Sequence, residues 1–169
     1  TKYDENLKAL IERDENYFKS IINIEREKEN PRKDYVTYKD IYPIINFFYT
    51  DLYNQLLETV ELPFNFERFT KEQIINVLTN FKNNMGLEYD EEGWFENLKK
   101  TTTVCGFCPN VKEYKKNKEA YPGHVGDVSE MIRIAISTTK NTPNPYYVLK
   151  ILGEKEVARR IDEVIKKIS

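Results

Sequence analysis

The chain has 169 residues, 40% hydrophobic, 32% charged and 13% aromatic, with six Gly, seven Pro, two Cys and one His. This length predicts one domain or two small ones closely packed; the apolar and aromatic content excludes a disordered chain, two cysteines exclude a disulfide framework, and one histidine excludes metal sites built from several imidazoles. The net charge of −2 is uneven: residues 1–98 hold 12 Lys/Arg against 20 Asp/Glu, and residues 99–169 hold 14 against 8, which suits either a face meeting a polyanion or ordinary solvated helix surfaces.

The chain opens on Thr rather than Met, and a helical pattern begins almost at once, as expected of a segment of a longer protein. Leu7, Leu10, Ile11, Tyr17, Phe18, Ile21, Ile22 and Ile24 recur at helical spacing, predicting a helix over 5–28 that ends before Pro31. A second helix is predicted from a start within 38–43 to about Glu58, through Ile41, Ile44, Ile45, Phe48, Leu52 and Leu56. Thr37 and Asp40 resemble a capping box there, and Pro43 suits a first turn. Residues 59–69 read as a connector. Thr70 with Gln73 then predicts a capped helix carrying Ile74, Ile75, Val77, Leu78 and Phe81, closed by Gly86 as a left-handed C-cap. A short helix over 91–100 groups Trp94, Phe95 and Leu98, and 101–125 reads as irregular. Asp127 with Glu130 predicts the cap of a helix through Val128, Met131, Ile132, Ala135 and Ile136. A polar loop over 137–145 follows, then a short helix stopping at Gly153 and a last helix with Lys166 and Lys167 at its negative end. No strand pair and no bilayer-length apolar run is present, so the expectation is an all-α chain of two small packed helical subdomains, 1–66 and 67–169, the second carrying an inserted segment near 101–125.

Three groups of residues carry possible chemistry. Cys105-Gly106-Phe107-Cys108 offers two thiols, and His124 brings the candidate ligands to three, one short of a closed zinc site. The motif is read as structural, with a metal or a redox pair as alternatives, and no bound metal is expected. Tyr114-Lys115-Lys116-Asn117-Lys118 is either a phosphate-neutralising, base-stacking run or a solvated loop. The 137–145 loop with Tyr146 and Tyr147 combines hydroxyls, amides, two backbone-fixing prolines and two aromatic rings. It is read as a presenter of donors and stacking faces to splayed bases, or as a plain helix connection. No glycine-rich phosphate loop and no tuned carboxylate pair argues for catalysis within these residues.

The order of residues from 126 onward resembles a known family. Gly126-Asp127-Val128 leads to Ile132-Arg133-Ile134-Ala135-Ile136, then Asn141-Thr142-Pro143, then Val148-Leu149-Lys150-Ile151-Leu152-Gly153-Glu154-Lys155 and Val157-Ala158-Arg159-Arg160-Ile161. This is similar to the C-terminal end of glutamyl-tRNA synthetases, and 70–87 is similar to the helix preceding it. Residues 1–66 resemble the preceding helical subdomain through Pro31-Arg32 and Thr37-x-Lys39. The resemblance implies the all-helical anticodon-binding cage of a class I synthetase. It also implies a cytoplasmic parent enzyme that attaches glutamate to tRNA, with ATP and magnesium bound in a catalytic domain outside this chain. The chain itself is then expected to hold no catalytic residue and no cofactor, and to bind glutamate-accepting tRNA but neither DNA nor membrane. Carried over residue by residue, Arg133, Thr142, Pro143, Pro145 and Tyr146 would meet the anticodon, with Arg32 facing it from the other subdomain. Asn30 stands where an arginine often precedes the Pro-Arg pair, which implies relaxed discrimination at the first anticodon base. The alternatives are the end piece of a class I lysyl-tRNA synthetase and a helical protein-interaction module.

Overall fold

The computed structural model describes the backbone of residues 2–28 and 38–169, and the side chains of 5–28 and 40–169. Among these residues it has ten α-helices, two short 3-10 helices and no strand, so the chain is all-α. The 5–28 pattern forms two helices, α1 (Lys2–Arg13) and α2 (Glu15–Ile22). The break is Asp14, which is extended (φ −160°, ψ 97°) and accepts the Tyr17 amide at 2.9 Å. An aspartate that bonds to the backbone ahead of it ends one helix and caps the next without disturbing the apolar period, so Leu7, Leu10, Phe18 and Ile21 are all buried.

The second pattern divides as well, into α3 (Tyr38–Ile45), a 3-10 turn (Asn46–Phe48) and α4 (Thr50–Thr59). Pro43 lies inside α3 rather than in its first turn. Phe47, Phe48 and Tyr49 are all buried, and successive residues of an α-helix point about 100° apart, so three in a row cannot face one core. Leaving the α conformation at Asn46 and extending at Tyr49 solves this. The expected Thr37 cap lies outside the described residues.

At Thr70 the local signal and the structure agree. α5 (Lys71–Asn83) opens on the Thr70–Gln73 capping box, with both reciprocal hydrogen bonds made. Its C-cap is Asn84, and Gly86 takes the left-handed conformation two residues later (φ +68°). A Cβ at Gly86 would stand 2.6 Å from Nδ2 of Asn97, an amide already donated to the Asn84 carbonyl. Gly86→Ala is therefore expected to lower stability by about 1–3 kcal/mol, read as a lower urea midpoint at unchanged slope.

α6 (Glu91–Val104) runs four residues beyond the expected end. Its extra turn buries Thr101 and Thr102, and the Thr102 hydroxyl satisfies itself on the Leu98 carbonyl at 2.7 Å. Trp94 and Leu98 enter the core, but Phe95 is 42% exposed under the Lys99 ammonium. The segment expected to be irregular carries α7 (Val111–Lys116) and a 3-10 turn (Lys118–Ala120), with the Asn110 side chain accepting the Lys112 and Glu113 amides. α8 (Val125–Ser137) starts earlier than Asp127 suggests. His124 is the N-cap, and Asp127 is the third helical residue, reaching back to the His124 amide. α9 (Pro145–Leu152) follows the loop and α10 (Glu154–Ile168) follows Gly153.

α10 packs on α5, α8 and α9, and α5 on α6 and α8. Ile74, Val77 and Leu78, Val128, Ile132 and Ala135, and Val157, Ile161 and Val164 have no exposed surface. Arg160 is buried among them. It donates to the Phe47 and Ile136 carbonyls at 2.7 Å each and to Glu156 at 2.8 Å, and its guanidinium lies 4.0 Å from the Tyr53 ring centroid. Through Phe47 and Ile136 this one side chain ties α10 to both the early helices and the end of α8. Among the described residues no helix is long and apolar enough to cross a membrane.

Candidate nucleic-acid interface

The loop between α8 and α9 is built by its own short-range bonds. Thr138 takes a left-handed conformation (φ +68°) and returns its amide to the Ile134 carbonyl at 2.8 Å. The Ser137 hydroxyl bonds back to Arg133 and forward to Thr139. At the other end Asn144 caps α9 by accepting the Tyr146 amide, and Pro145 fills the first helical position, where a missing N–H costs nothing.

Arg133 and Thr142, singled out in sequence, meet directly. Arg133 Nε donates to the Thr142 hydroxyl at 2.9 Å, and that hydroxyl donates to the Pro143 carbonyl at 2.8 Å. Arg133 is half-buried, and burial pushes its pKa below the ordinary value. Among the described residues its two terminal nitrogens make no hydrogen bond. A guanidinium fixed through Nε with both ends free is arranged to pair bidentately with a base edge or a phosphate.

Pro143 and Pro145 are buried and shape the loop rather than line its surface. Tyr146 corrects the expectation of a stacking ring. It is 9% exposed, donates its hydroxyl to the Tyr89 carbonyl at 2.9 Å and packs beside Trp94, so it supports the loop from beneath. The more open ring is Tyr147, which lines a cleft of about 410 Å³ with Asn23, Lys28 and Lys150. Arg32 and Asn30 lie outside the described residues.

Glu91, which sequence reading passed over, anchors this arrangement. One of its oxygens accepts from Asn144 Nδ2 at 2.7 Å and the other from the Tyr147 hydroxyl at 2.7 Å, with the Lys28 ammonium at 3.4 Å. The Tyr147 hydrogen bond, with the Lys28 charge, holds the Glu91 carboxyl below its usual range against the opposing effect of burial. The same bond raises the Tyr147 phenol. No local pattern could have revealed this residue, because its partners lie 53 and 56 positions away.

The Cys-x-x-Cys side chains diverge. Both cysteines are free; Cys105 is 4.0 Å from the Asn76 carbonyl, while Cys108 is buried and donates to the Asn110 carbonyl. The Cys108 backbone pairs with Gly123 and Val125 in an isolated bridge, and His124 Nδ1 accepts the Gly126 amide. Among the described residues no three His, Cys, Asp or Glu side chains converge as a metal site.

Residues 110–165, which contain Arg133, the loop and α9, match the family model described as an anticodon binding domain. That all-helical stretch is therefore similar to an anticodon binding domain. The chain is 32% identical over 160 residues to the glutamate–tRNA ligase of Sorangium cellulosum (strain So ce56), covering 95% of this chain and 27% of that protein. Against the glutamate–tRNA ligase of Clostridium beijerinckii (strain ATCC 51743 / NCIMB 8052) it is 30% identical over 166 residues, covering 97% and 30%. The ligase of Clostridium perfringens (strain 13 / Type A) gives 32% over 161 residues, covering 95% and 29%. The chain is homologous, over nearly all its length, to the C-terminal anticodon-binding region of the glutamate–tRNA ligases, and it spans less than a third of the length of these relatives.

Proposed function

We propose that this chain recognises the anticodon of glutamate-accepting tRNA as part of a cytoplasmic glutamate–tRNA ligase. The observation that carries this reading is the Arg133–Thr142 pair, which lies inside the stretch matching an anticodon binding domain and whose two guanidinium ends make no hydrogen bond among the described residues. In this reading residues 1–66 and 67–169 are two helical subdomains facing the same anticodon. Arg133 and the 142–146 loop contribute from the second, and Arg32 and Asn30 from the first. The sequence holds no glycine-rich phosphate loop, so ATP and magnesium would be bound elsewhere in the parent enzyme.

The purified chain is expected to bind glutamate-accepting tRNA with an affinity that falls as salt rises, because each neutralised phosphate releases counterions. It is expected to exchange no pyrophosphate with ATP. Filter binding across a salt series and an isotope-exchange assay check the two statements. Equal competition by unrelated tRNA species, or robust exchange, would remove this reading.

A further inference from the structure

A second cluster of hydrogen-bond donors lies at the opposite end of α8 from the loop. Arg68, Val111, Tyr114, Lys115, Lys118 and His124 line a cleft of about 450 Å³. Arg68 is its fixed point. Its guanidinium spans both oxygens of Asp127 at 2.8 and 3.1 Å, donates to the Tyr114 hydroxyl oxygen at 3.0 Å and lies over the Phe69 ring. The Tyr114 and His124 rings pack with centroids 5.1 Å apart.

The free valences of this cluster are of one kind. The Tyr114 oxygen accepts from Arg68, and among the described residues its own proton has no acceptor. His124 Nδ1 accepts the Gly126 amide at 2.9 Å, which leaves the neutral ring's proton on Nε2. That nitrogen stands 3.6 Å from Asp127 Oδ2, beyond hydrogen-bond distance. Asp127 lies beside the cleft, and both its oxygens are engaged, by Arg68 and by the His124 amide. Its charge is cancelled by Arg68. Glu113, on the same short helix, receives the Tyr121 hydroxyl at 3.4 Å. Lys115 and Lys118 form no ion pair among the described residues, so the cleft presents two unpaired ammonium groups beside the Tyr114 and His124 donors, with the Glu113 and Glu119 carboxylates on the same segment. Elsewhere Lys8, Lys19, Lys28, Lys82 and Lys99 are paired with carboxylates, while Lys71, Lys100, Lys112, Lys116, Lys155 and Lys166 form no ion pair among the described residues; what sets Lys115 and Lys118 apart is that they line one cleft with Arg68, Tyr114 and His124.

We infer that this cleft is a phosphodiester-binding site for the RNA backbone, separate from the loop that faces bases. A phosphate seated there would receive the Tyr114 and His124 donors and be neutralised by Lys115 and Lys118, while the Arg68–Asp127 pair holds the floor in place. Arg133, which holds the loop through Thr142, lies nine residues along α8 from His124, so the cleft and the base-reading guanidinium stand ~14 Å apart along its axis at 1.5 Å per residue. Two contacts so spaced would register a folded RNA by shape, one reading sequence and the other reading only backbone. This inference rests on the tRNA reading above.

The test is tRNA binding by the whole chain across a potassium chloride series. It compares wild type, Lys115→Ala/Lys118→Ala, Arg133→Ala and the charge-matched control Lys8→Ala/Lys19→Ala. Each is measured with native tRNA and with the same tRNA carrying altered anticodon bases. The cleft variant should flatten the slope of log affinity against log salt by roughly 1.4 to 1.8, two contacts at 0.7–0.9 each, and by the same amount for both tRNAs. The control should keep the wild-type slope. A cleft variant indistinguishable from wild type, or a control with the same loss, overturns the site; if Arg133→Ala still weakens binding, anticodon recognition stands without it. Wild type that binds no tRNA overturns both readings.

Discussion

Glu156→Ala is expected to destabilise the chain by about 3 kcal/mol, the cost of leaving a buried cation without its carboxylate. Arg160 has no exposed surface, and Glu156 is the only carboxylate that it bonds among the described residues. One of its terminal nitrogens already lacks a partner, so there is no spare acceptor to take up the loss. Arg159 shares the same carboxylate from the surface, with 37% of its side chain exposed. Arg159→Ala should cost less than about 1 kcal/mol, since an exposed pair gains little over water. Urea denaturation of the two variants separates the cases.

The same cluster sets an acid limit on stability. Burial pushes the Glu156 carboxyl up, but hydrogen bonds from Arg159 and Arg160, and then their charges, outweigh it and bring it to about 2 from an ordinary 4.5. A carboxyl depressed on folding stabilises fully above its unfolded value and loses that contribution as pH falls through its folded one. The Glu156-dependent part of stability should therefore hold above about pH 4.5 and disappear toward pH 2. Thermal melts across this window should show a shallower acid loss in Glu156→Ala than in wild type.

The second large effect concerns recognition. Arg133→Ala is expected to weaken tRNA binding by ~1–3 kcal/mol, the range for a guanidinium paired to a base edge, whereas Lys2→Ala should leave it unchanged. Thr142→Ala tests the geometry behind that effect. The Thr142 hydroxyl holds Arg133 Nε, so its removal should reduce discrimination between tRNAs differing in one anticodon base more than it reduces overall affinity. Asn30→Arg is expected to sharpen discrimination at the first anticodon position. Thr142→Ala weakening all tRNAs equally, together with no change in Asn30→Arg, would reduce the loop to a connector.

Sequence alone determined the features whose causes lie within about one helical turn. The Thr70–Gln73 box, the stop at Gly153 and the apolar face of α10 are all set by neighbours three or four residues apart. The order from Gly126 through the Thr142-Pro143 loop was sufficient to place Arg133 beside that loop's chemistry. One further signal was present and unread: Arg160 falls on the same helical face as Val157, Ile161 and Val164, which marks it for burial, while its neighbour Arg159 points away. Tertiary structure decided what depends on distant partners. The break at Asn46–Tyr49 follows from the three successive rings that must be buried there, and Tyr146 rather than Tyr147 went inward because Tyr89 and Trp94 wait beneath it. Glu91 became the anchor of the loop, and Arg68 the floor of the basic cleft, only when helices far apart in the chain were packed together. A cap is satisfied by the backbone beside it, but a buried charge or an oriented ring is satisfied only by whatever the fold brings across the core.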